Sequence, residues 1–385
     1  MGAWMWISFG LGLVLLTAGG EGLVRGASSL AQRFGISPLV VGLTVVAFGT
    51  SAPELVVGLI AASKGTPDIA VGNVVGSNIM NVLLILGVSA LIAPLFVDRQ
   101  LLKRDLPVMI AASLFIIFFG FDGTLSVFEG LVMFLGGLGF TVFVVRQSRG
   151  ERNVPSAAPE DGKAPQRPLL LDLFFVTLGL GALVLGADWV VKAAVQMALA
   201  LGIDEATVGL TVVAIGTSLP ELATSVVATI RGERDIAVGN IVGSNIYNLL
   251  LVLSLTAVAA GGLEVAPSLE SFDIPVMIAV AVATLPLFAA AQMIVRWQGA
   301  LFLAAYLAYT VYLVLASRQH PALGDFRELM LGYVIPAGVL VVAALLLRLH
   351  HHHETSVDET SKGQQASVAS QGDAAAEGEE RKASK

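Results

Sequence analysis

The sequence contains no cysteine, only five histidines and few charged residues, which make up 13% of the chain. The absence of cysteine excludes disulfides, thiolate metal sites and cysteine nucleophiles. The histidines are His320 and the run at residues 350–353, all outside the polar motifs described below. No nucleophile–base pair accompanies the acids of those motifs, which disfavours a membrane-embedded enzyme. The net charge of −7 argues against a nucleic-acid partner.

Long apolar runs dominate what is present, with 56% hydrophobic residues and a mean hydropathy of +0.82. A helix needs ~20 apolar residues to cross a hydrocarbon core of ~30 Å. The composition therefore predicts an all-α polytopic membrane protein. Trp4 and Trp6 suit an interfacial anchor at its start. The predicted spans, eleven in number, are residues 4–24, 39–63, 69–93, 106–120, 125–145, 171–195, 206–230, 236–259, 274–290, 299–316 and 329–349.

Basic residues indicate the orientation of these spans. The odd-numbered loops carry most of the Arg and Lys residues, for example Arg99, Lys103 and Arg104 in the third loop, whereas the eighth loop has none. Loops rich in Lys and Arg stay in the cytoplasm. We therefore expect an integral protein of the cell (inner) membrane with its N-terminus outside and its C-terminus in the cytoplasm.

One block of sequence occurs twice. Residues 44–87 and 211–254 align without a gap, and more than half of the positions are identical. The shared positions are mostly polar residues and glycines, although a duplicated apolar helix needs only to stay apolar. This suggests that both copies build one site. The shared positions of the first copy are Gly49, Thr50, Ser51, Pro53, Glu54, Asp68, Gly72, Asn73, Gly76, Ser77, Asn78 and Asn81.

The repeat extends to about five spans in each half, because residues 105–110 match residues 273–278 after a one-residue slip. An odd number of spans inverts the second half, which is the plan of secondary transporters with a site at the midplane. We expect a first transmembrane repeat at 1–146, a cytoplasmic linker at 147–168 and a second repeat at 169–317. An extra, eleventh transmembrane helix at 318–349 and a disordered polar tail at 350–385 complete the expected organisation.

The first shared motif, GTSAPE, places a carboxylate beside a helix break. Pro53 lacks an N–H and is predicted to open the helix near Gly49, which frees carbonyls around Ala47 to Thr50. Such groups cannot face lipid and need donors, water or a cation. Thr50, Ser51 and Glu54 add hydroxyl and carboxylate oxygens. The second copy, GTSLPE, repeats the arrangement with Ala214, Thr217, Ser218 and Glu221.

Two ionised carboxylates inside a membrane are costly, and no Lys or Arg lies within either repeat core to offset them. A bound cation would remove the penalty. The available oxygens are hard ligands, which suits Ca²⁺ with its 6–8 oxygens at ~2.3–2.6 Å. Glu54 and Glu221 together balance the charge of one divalent ion.

The second shared motif, GNxxGSNxxN, follows each copy of the first. Asn73, Ser77 and Asn81 lie four residues apart and therefore share one helical face. Gly72 and Gly76 would allow another helix to approach closely. Ser77 and Asn81 could then complete the ligand shell around Glu54. In the second half, the same residue types recur at Gly239, Asn240, Gly243, Ser244 and Asn248.

Over residues 4–317 the two motifs resemble the sodium/calcium exchanger family of the cation/calcium exchanger superfamily. The resemblance implies ten helices in two inverted halves, with central sites formed by the second, third, seventh and eighth spans. Asn248 stands where family members often have Asp, which leaves the stoichiometry open. The metal ligands that the resemblance implies are Ala47, Thr50, Ser51, Glu54, Ser77, Asn81, Ala214, Thr217, Ser218, Glu221, Ser244 and Asn248.

The sequence thus predicts an antiporter that exchanges Ca²⁺ for Na⁺ by alternating access. Its partners are these ions and the lipid bilayer; no cofactor and no obligate protein partner are implied. Exchange of Ca²⁺ for H⁺ is the alternative within the superfamily. Gly76 and Ser77 stand where the proton-coupled branch tends to carry an acid, which favours sodium. A cation channel is a more remote alternative, because the outer parts of the spans lack a continuous polar path.

Overall fold

The computed structural model describes residues 3–119, 122–150, 168–200, 214–289, 292–334, 336 and 338. Contacts divide the chain into two units, Met1–Arg327 and Glu328–Lys385. A short helix, Ala214–Thr217, precedes the seventh of the main helices, and a π-helical turn, Leu101–Asp105, precedes the fourth. Within the described residues, the main helices are α1 Ala3–Phe34, α2 Pro38–Ser63, α3 Pro67–Ile92, α4 Leu106–Phe119, α5 Val127–Gly150, α6 Leu169–Ala200, α7 Leu219–Ile230, α8 Arg234–Ala260, α9 Leu269–Ala289, α10 Arg296–Ser317 and α11 Leu323–Leu329.

Eight of the described helices, α1–α3, α5, α6 and α8–α10, are long and apolar enough to cross a membrane. Large apolar side chains lie on the outer surfaces of these helices, with Trp4 69%, Phe128 73% and Leu170 80% exposed. Only a lipid environment makes so many exposed apolar side chains favourable. The predicted all-α polytopic membrane fold is confirmed.

Several predicted boundaries are wrong. The first span does not end at Val24, because α1 continues to Phe34 and buries Ala27, Leu30 and Ala31. The predicted linker starts at residue 147, inside α5, which ends at Gly150. Most of the predicted eleventh span, 329–349, lies outside the described residues. Its described part contains the end of α11 and a π-helical turn, Met330–Val334.

Two short antiparallel strand pairs show how the halves are related. Strand β1, Leu95–Phe96, follows α3 and pairs with β4, Met293–Ile294, which precedes α10. Strand β2, Thr124–Leu125, precedes α5 and pairs with β3, Leu263–Glu264, which follows α8. Each pair joins the connection after the third helix of one half to the connection before the fifth helix of the other. Those connections lie on the same side only if the halves are inverted.

Glycines allow α1 and α6 to pack at backbone contact. A Cβ atom on Gly12 would lie 2.9 Å from the carbonyl oxygen of Gly186, and one on Gly19 would lie 2.8 Å from that of Gly179. An ion pair of 3.2 Å between Arg33 Nε and Asp172 Oδ2 joins the ends of the two helices. The first helices of the two halves therefore form one tightly packed pair.

Helix α8 lies at the centre, with 89% of its most apolar stretch buried. Its glycines contact α2 directly, since a Cβ on Gly239 would lie 2.6 Å from the Leu39 carbonyl oxygen and one on Gly243 2.6 Å from that of Leu43. The predicted close approach is thus confirmed in the second half. For Gly76, no described atom lies within 4 Å of a Cβ, and the segment that would correspond to the α2 contact, 206–210, lies outside the described residues.

Candidate functional site

Helix breaks in the second helix of each half position the two buried acids. Helix α2 is interrupted at Ser51, which has φ −80° and ψ 5°, and the short helix before α7 ends at Ser218, with φ −91° and ψ 8°. Each break lies two residues before the proline of its motif. Pro lacks the N–H that the preceding turn needs, whereas it fits the first turn of a new helix. Glu54 and Glu221 follow the breaks, and both are 0% exposed.

The serine at each helix break forms a hydrogen bond with the glutamate of the opposite half. Ser51 Oγ donates to Glu221 Oε1 at 3.2 Å, and Ser218 Oγ donates to Glu54 Oε1 at 3.2 Å. The reciprocity is that expected of two halves related by a two-fold axis. Each glutamate therefore lies beside the break of the opposite half, as the duplicated motif predicts.

Helices α3 and α8 add further oxygens at this point. Ser77 Oγ lies 2.9 Å from Ser218 Oγ and 3.5 Å from Glu54 Oε1. Ser244 Oγ lies 3.5 Å from Thr50 Oγ1. The serines of the second motif therefore reach the residues of the first, one on each side of the site.

Four asparagines form a separate network in the middle of α3 and α8. Asn81 Nδ2 donates to Asn245 Oδ1 at 3.3 Å, and Asn248 Nδ2 donates to Asn78 Oδ1 at 3.1 Å. Asn78 Nδ2 donates in turn to the Asn245 carbonyl at 3.3 Å. A carbonyl cannot donate, so this bond fixes which end of the Asn78 amide is oxygen. The oxygen of Asn248 consequently points away from the network. That of Asn81 does so too, because Asn245 Nδ2 donates to Met109 Sδ at 3.5 Å and Asn245 Oδ1 faces Asn81.

A π-helical turn begins at each of the two outer asparagines, Asn81–Ile85 in α3 and Asn248–Leu253 in α8. Such turns insert an extra residue into an α-helix and occur frequently at functional sites. Here they rotate the rest of the helix relative to the polar face. The distortion recurs at equivalent positions of the two halves, as do the π-helical turns Leu101–Asp105 and Leu269–Asp273 where the fourth helix of each half begins.

Four buried acceptor oxygens at the site have no hydrogen-bond partner among the described residues: Glu54 Oε2, Glu221 Oε2, Asn81 Oδ1 and Asn248 Oδ1. A buried acceptor without a donor costs about 1–3 kcal/mol, and more if it is charged. With both glutamates ionised, all four can only accept, so a bound cation would satisfy them and a further protein acceptor would not. Within the described ranges, no group of three His, Cys, Asp or Glu residues could hold a metal ion, so two carboxylates carry the charge of this site.

The structure places most of the predicted ligands close together, but one predicted backbone ligand, the Ala47 carbonyl, already accepts hydrogen bonds. The Ala47 carbonyl accepts from the Ser51 N–H at 3.0 Å and lies 3.3 Å from Thr50 Oγ1, so the break does not leave this carbonyl without a donor. Ala214 begins the corresponding short helix of the second half. Thr50 and Ser51 are 1% and 2% exposed.

Several residues at the site were not among the predicted ligands. Thr50 Oγ1 donates to Asn240 Oδ1 and Thr217 Oγ1 donates to Asn73 Oδ1, both at 3.1 Å. Asn78 and Asn245 orient the outer asparagines. All four asparagines are identical between the repeats, and this duplication was the available signal. Ser225, which accepts from Asn240 Nδ2 at 2.9 Å, had no such signal because its equivalent is Gly58.

The fold and the site together define a multi-pass integral membrane protein of two inverted halves, with two buried glutamates surrounded by hydroxyl and amide groups between the halves. The sequence matches the sodium/calcium exchanger protein family over residues 4–146 and 171–315. The chain therefore belongs to that family, whose members are membrane exchangers and not enzymes, and cation/Ca²⁺ exchange is its class of activity.

Similarity to individual proteins supports this family assignment. The chain is 39% identical to the putative antiporter CaxA of Alkalimonas amylolytica, over 80% of this chain and 97% of the relative. It is 36% identical to the sodium/calcium exchanger MaX1 of Methanosarcina acetivorans, over 79% and 96%. Among solved structures, the sodium-calcium exchanger NCX_Mj soaked with Na⁺ and Ca²⁺ is 34% identical, with a TM-score of 0.69, over 80% of this chain and 97% of that structure.

Proposed function

We propose that the protein exchanges Ca²⁺ for Na⁺ at the site between Glu54 and Glu221. The observation that carries this proposal is the pair of fully buried carboxylates, each with one oxygen that no described residue satisfies. One Ca²⁺ or two Na⁺ would neutralise them. Both ions prefer the carboxylate, hydroxyl and amide oxygens found here, so the two cargoes compete for the same ligands.

The ligands in this proposal are those predicted from the sequence. The two glutamates supply the charge, whereas hydroxyls and amides supply neutral oxygens. The empty site would leave two negative charges in the membrane interior, which is costly and should hinder movement. A loaded site is neutralised, so the halves can move around it. This difference would couple the two ion fluxes.

We also propose that the chain lies in the cell membrane with the β1–β4 side in the cytoplasm. That side carries the third and ninth connections, which are among the odd-numbered loops rich in Arg and Lys. In this proposal the second repeat and the polar tail keep their predicted limits, whereas the first repeat extends to the end of α5 at Gly150 and the linker follows it. Protease accessibility of the 147–168 linker in sealed inverted vesicles would test the orientation.

The test of function uses the purified chain in proteoliposomes. We expect an outward Na⁺ gradient to drive ⁴⁵Ca²⁺ uptake, and Glu54→Gln to abolish that uptake. Glu270→Gln removes the charge of an exposed glutamate at the start of α9 and serves as the control that should transport normally. Uptake that ignores Na⁺ but follows a pH gradient would show that H⁺ is the counter-ion. Uptake that needs neither gradient would indicate a channel.

A further inference from the structure

The two halves differ at the residue that holds the asparagine of the GN motif. In the second half, Asn240 is 0% exposed, and its Nδ2 donates to Ser225 Oγ at 2.9 Å and to the Glu221 carbonyl at 3.4 Å. In the first half, the position equivalent to Ser225 is Gly58, which has no side chain to accept. Asn73 Nδ2 is buried and has no partner among the described residues.

This difference decides how the amide of each asparagine is oriented. The Glu221 carbonyl can only accept, so the amide nitrogen of Asn240 must face it and Oδ1 must face the other way. Oδ1 then lies 3.1 Å from Thr50 Oγ1 and accepts its proton, at a shorter distance than the 3.3 Å from Thr50 Oγ1 to the Ala47 carbonyl. The Thr50 oxygen retains both lone pairs for a cation.

The opposite orientation would have the opposite effect. If the amide of Asn240 turned over, its nitrogen would donate to Thr50 Oγ1 and occupy one of the lone pairs that a cation needs. In the first half, Thr217 Oγ1 donates to Asn73 Oδ1 at 3.1 Å, but no side chain at residue 58 holds Asn73 in that orientation.

We propose that Asn240 and Asn73 are positioning residues for the threonine ligands of the opposite half, and that Ser225 makes the two threonines unequal. Thr50 is a preorganised acceptor because the Glu221 carbonyl orients the amide of Asn240 and Ser225 Oγ holds its nitrogen at 2.9 Å. Thr217 is a weaker ligand because Asn73 lacks this anchor. The inference rests on the proposed exchange site and adds to it two residues, Asn240 and Ser225, that touch no cation themselves.

The variant Ser225→Ala tests the anchor. One hydrogen bond accounts for about a two- to tenfold change in an equilibrium constant. We expect Ser225→Ala to weaken Na⁺ and Ca²⁺ binding to the purified protein by about that factor, as measured by isothermal titration calorimetry. In transport, KM should rise by the same factor with kcat little changed, because the anchor acts on ground-state binding. Ser225→Thr keeps the hydroxyl and should restore wild-type values.

The matched control is Thr224→Val on the same helix. Thr224 is also 0% exposed, and its hydroxyl has no partner among the described residues, so removal should leave binding unchanged. A general packing defect would instead lower kcat and stability in both variants. Equal binding by Ser225→Ala and wild type would overturn the positioning role.

A variant that should bind cations more tightly separates the proposed role from misfolding, because misfolding would not increase the affinity. A Cβ atom on Gly58 would lie 2.8 Å from Thr256 Oγ1, so a serine there needs a smaller neighbour. The equivalent neighbour in the second half is Ser89. The double variant Gly58→Ser, Thr256→Ser therefore copies the second half into the first, and cation binding should tighten about two- to tenfold. Binding no tighter than in Thr256→Ser alone would contradict the proposal.

The titrations also separate this inference from the proposed function. A wild-type protein that binds neither Na⁺ nor Ca²⁺ overturns both. If the wild-type protein binds Ca²⁺ but a proton gradient drives its Ca²⁺ uptake, only the sodium coupling is overturned. The positioning role can then still be tested, because Ser225→Ala should weaken Ca²⁺ binding.

Discussion

At the scale of single residues, the chemistry of the site depends on which polar groups already donate their hydrogens to other residues. Ser51 Oγ donates its proton to Glu221 Oε1 at 3.2 Å, and Ser218 Oγ has two acceptors for its proton, Ser77 Oγ at 2.9 Å and Glu54 Oε1 at 3.2 Å. The amide nitrogens of Asn81 and Asn248 donate to neighbouring asparagines. What remains toward the centre is a set of acceptors. Such a set is unfavourable without a cation and favourable with one.

Asn248→Ala tests the contribution of the neutral oxygens. The change removes a buried acceptor with no partner among the described residues, and it leaves Asn78 Oδ1 without its donor. Loss of even an outer-shell partner lowers metal affinity ~10–100-fold, so a direct ligand should cost at least about tenfold in Ca²⁺ affinity. Asn81→Ala should behave alike, because the two positions are equivalent. Titration calorimetry measures both.

Ser254→Ala provides the control for that experiment. Ser254 is a buried residue of the same helix whose hydroxyl donates to the Leu250 carbonyl at 2.6 Å. Its removal changes a polar atom in α8 without touching the site. Unchanged Ca²⁺ affinity in Asn248→Ala, or an equal loss in Ser254→Ala, would show that Asn248 is not a ligand.

At the scale of helices, function depends on two devices, the broken second helices and the close crossing of α2 and α8. The breaks at Ser51 and Ser218 place both glutamates in a first helical turn. Glycines of α8 allow α2 to approach to backbone contact, which brings Thr50 to within 3.1 Å of Asn240. Helix packing therefore sets the distances across the site.

Gly243→Ala tests this crossing. A Cβ at residue 243 would lie 2.6 Å from the Leu43 carbonyl oxygen and 2.8 Å from Ala47 Cβ, and both belong to backbone or to a side chain that cannot rotate away. Such overpacking costs about 1–3 kcal/mol. We expect a lower melting temperature in detergent and a strong loss of uptake. Gly136→Ala, where no described atom lies within 4 Å of a Cβ, should melt and transport like the wild type.

Sequence reasoning could predict the helices and their breaks because both follow from local chemistry. Apolar runs mark the spans, and Pro53 and Pro220 cannot continue a helix, although the break lies at Ser51 and not at the predicted Gly49. The π-helical turns were missed, since the residues after Asn81 and Asn248 are apolar and look like ordinary helix. The role of Ser225 was missed because it depends on a contact with Asn240 across two helices.

At the scale of the whole molecule, the halves have the same pattern of charges but use it differently. Glu21, Arg25 and Lys64 of the first half correspond to Asp188, Lys192 and Arg231 of the second. Glu21 of α1 accepts from Arg231 Nε, at the end of α7, at 2.7 Å. The equivalent bond would join Asp188 to Lys64. Both acids pair with the basic residue four positions further on in their own helix, Glu21 with Arg25 and Asp188 with Lys192, but among the described residues Asp188 makes no ion pair with Lys64.

Two inverted halves that adopt different conformations can exchange them, and the exchange would turn the site toward the other side of the membrane. We therefore expect Asp188 to pair with Lys64, and Glu21 to release Arg231, in the opposite state. The chain has no cysteine, so introduced pairs are the only thiols. Glu21→Cys, Arg231→Cys should react with a short bifunctional thiol reagent in the state described here, and Asp188→Cys, Lys64→Cys in the opposite state.

The ions should shift the two reactions in opposite directions, because conditions that populate one state deplete the other. Each cross-link should block ⁴⁵Ca²⁺ uptake, since it prevents the exchange of conformations, and a cleavable reagent should allow recovery. Asp188→Cys, Lys192→Cys lies on one helix and should react equally in every condition. If the pair at residues 64 and 188 never reacts, or if both interhelical pairs respond to ions in the same direction, the halves do not exchange conformations in this way.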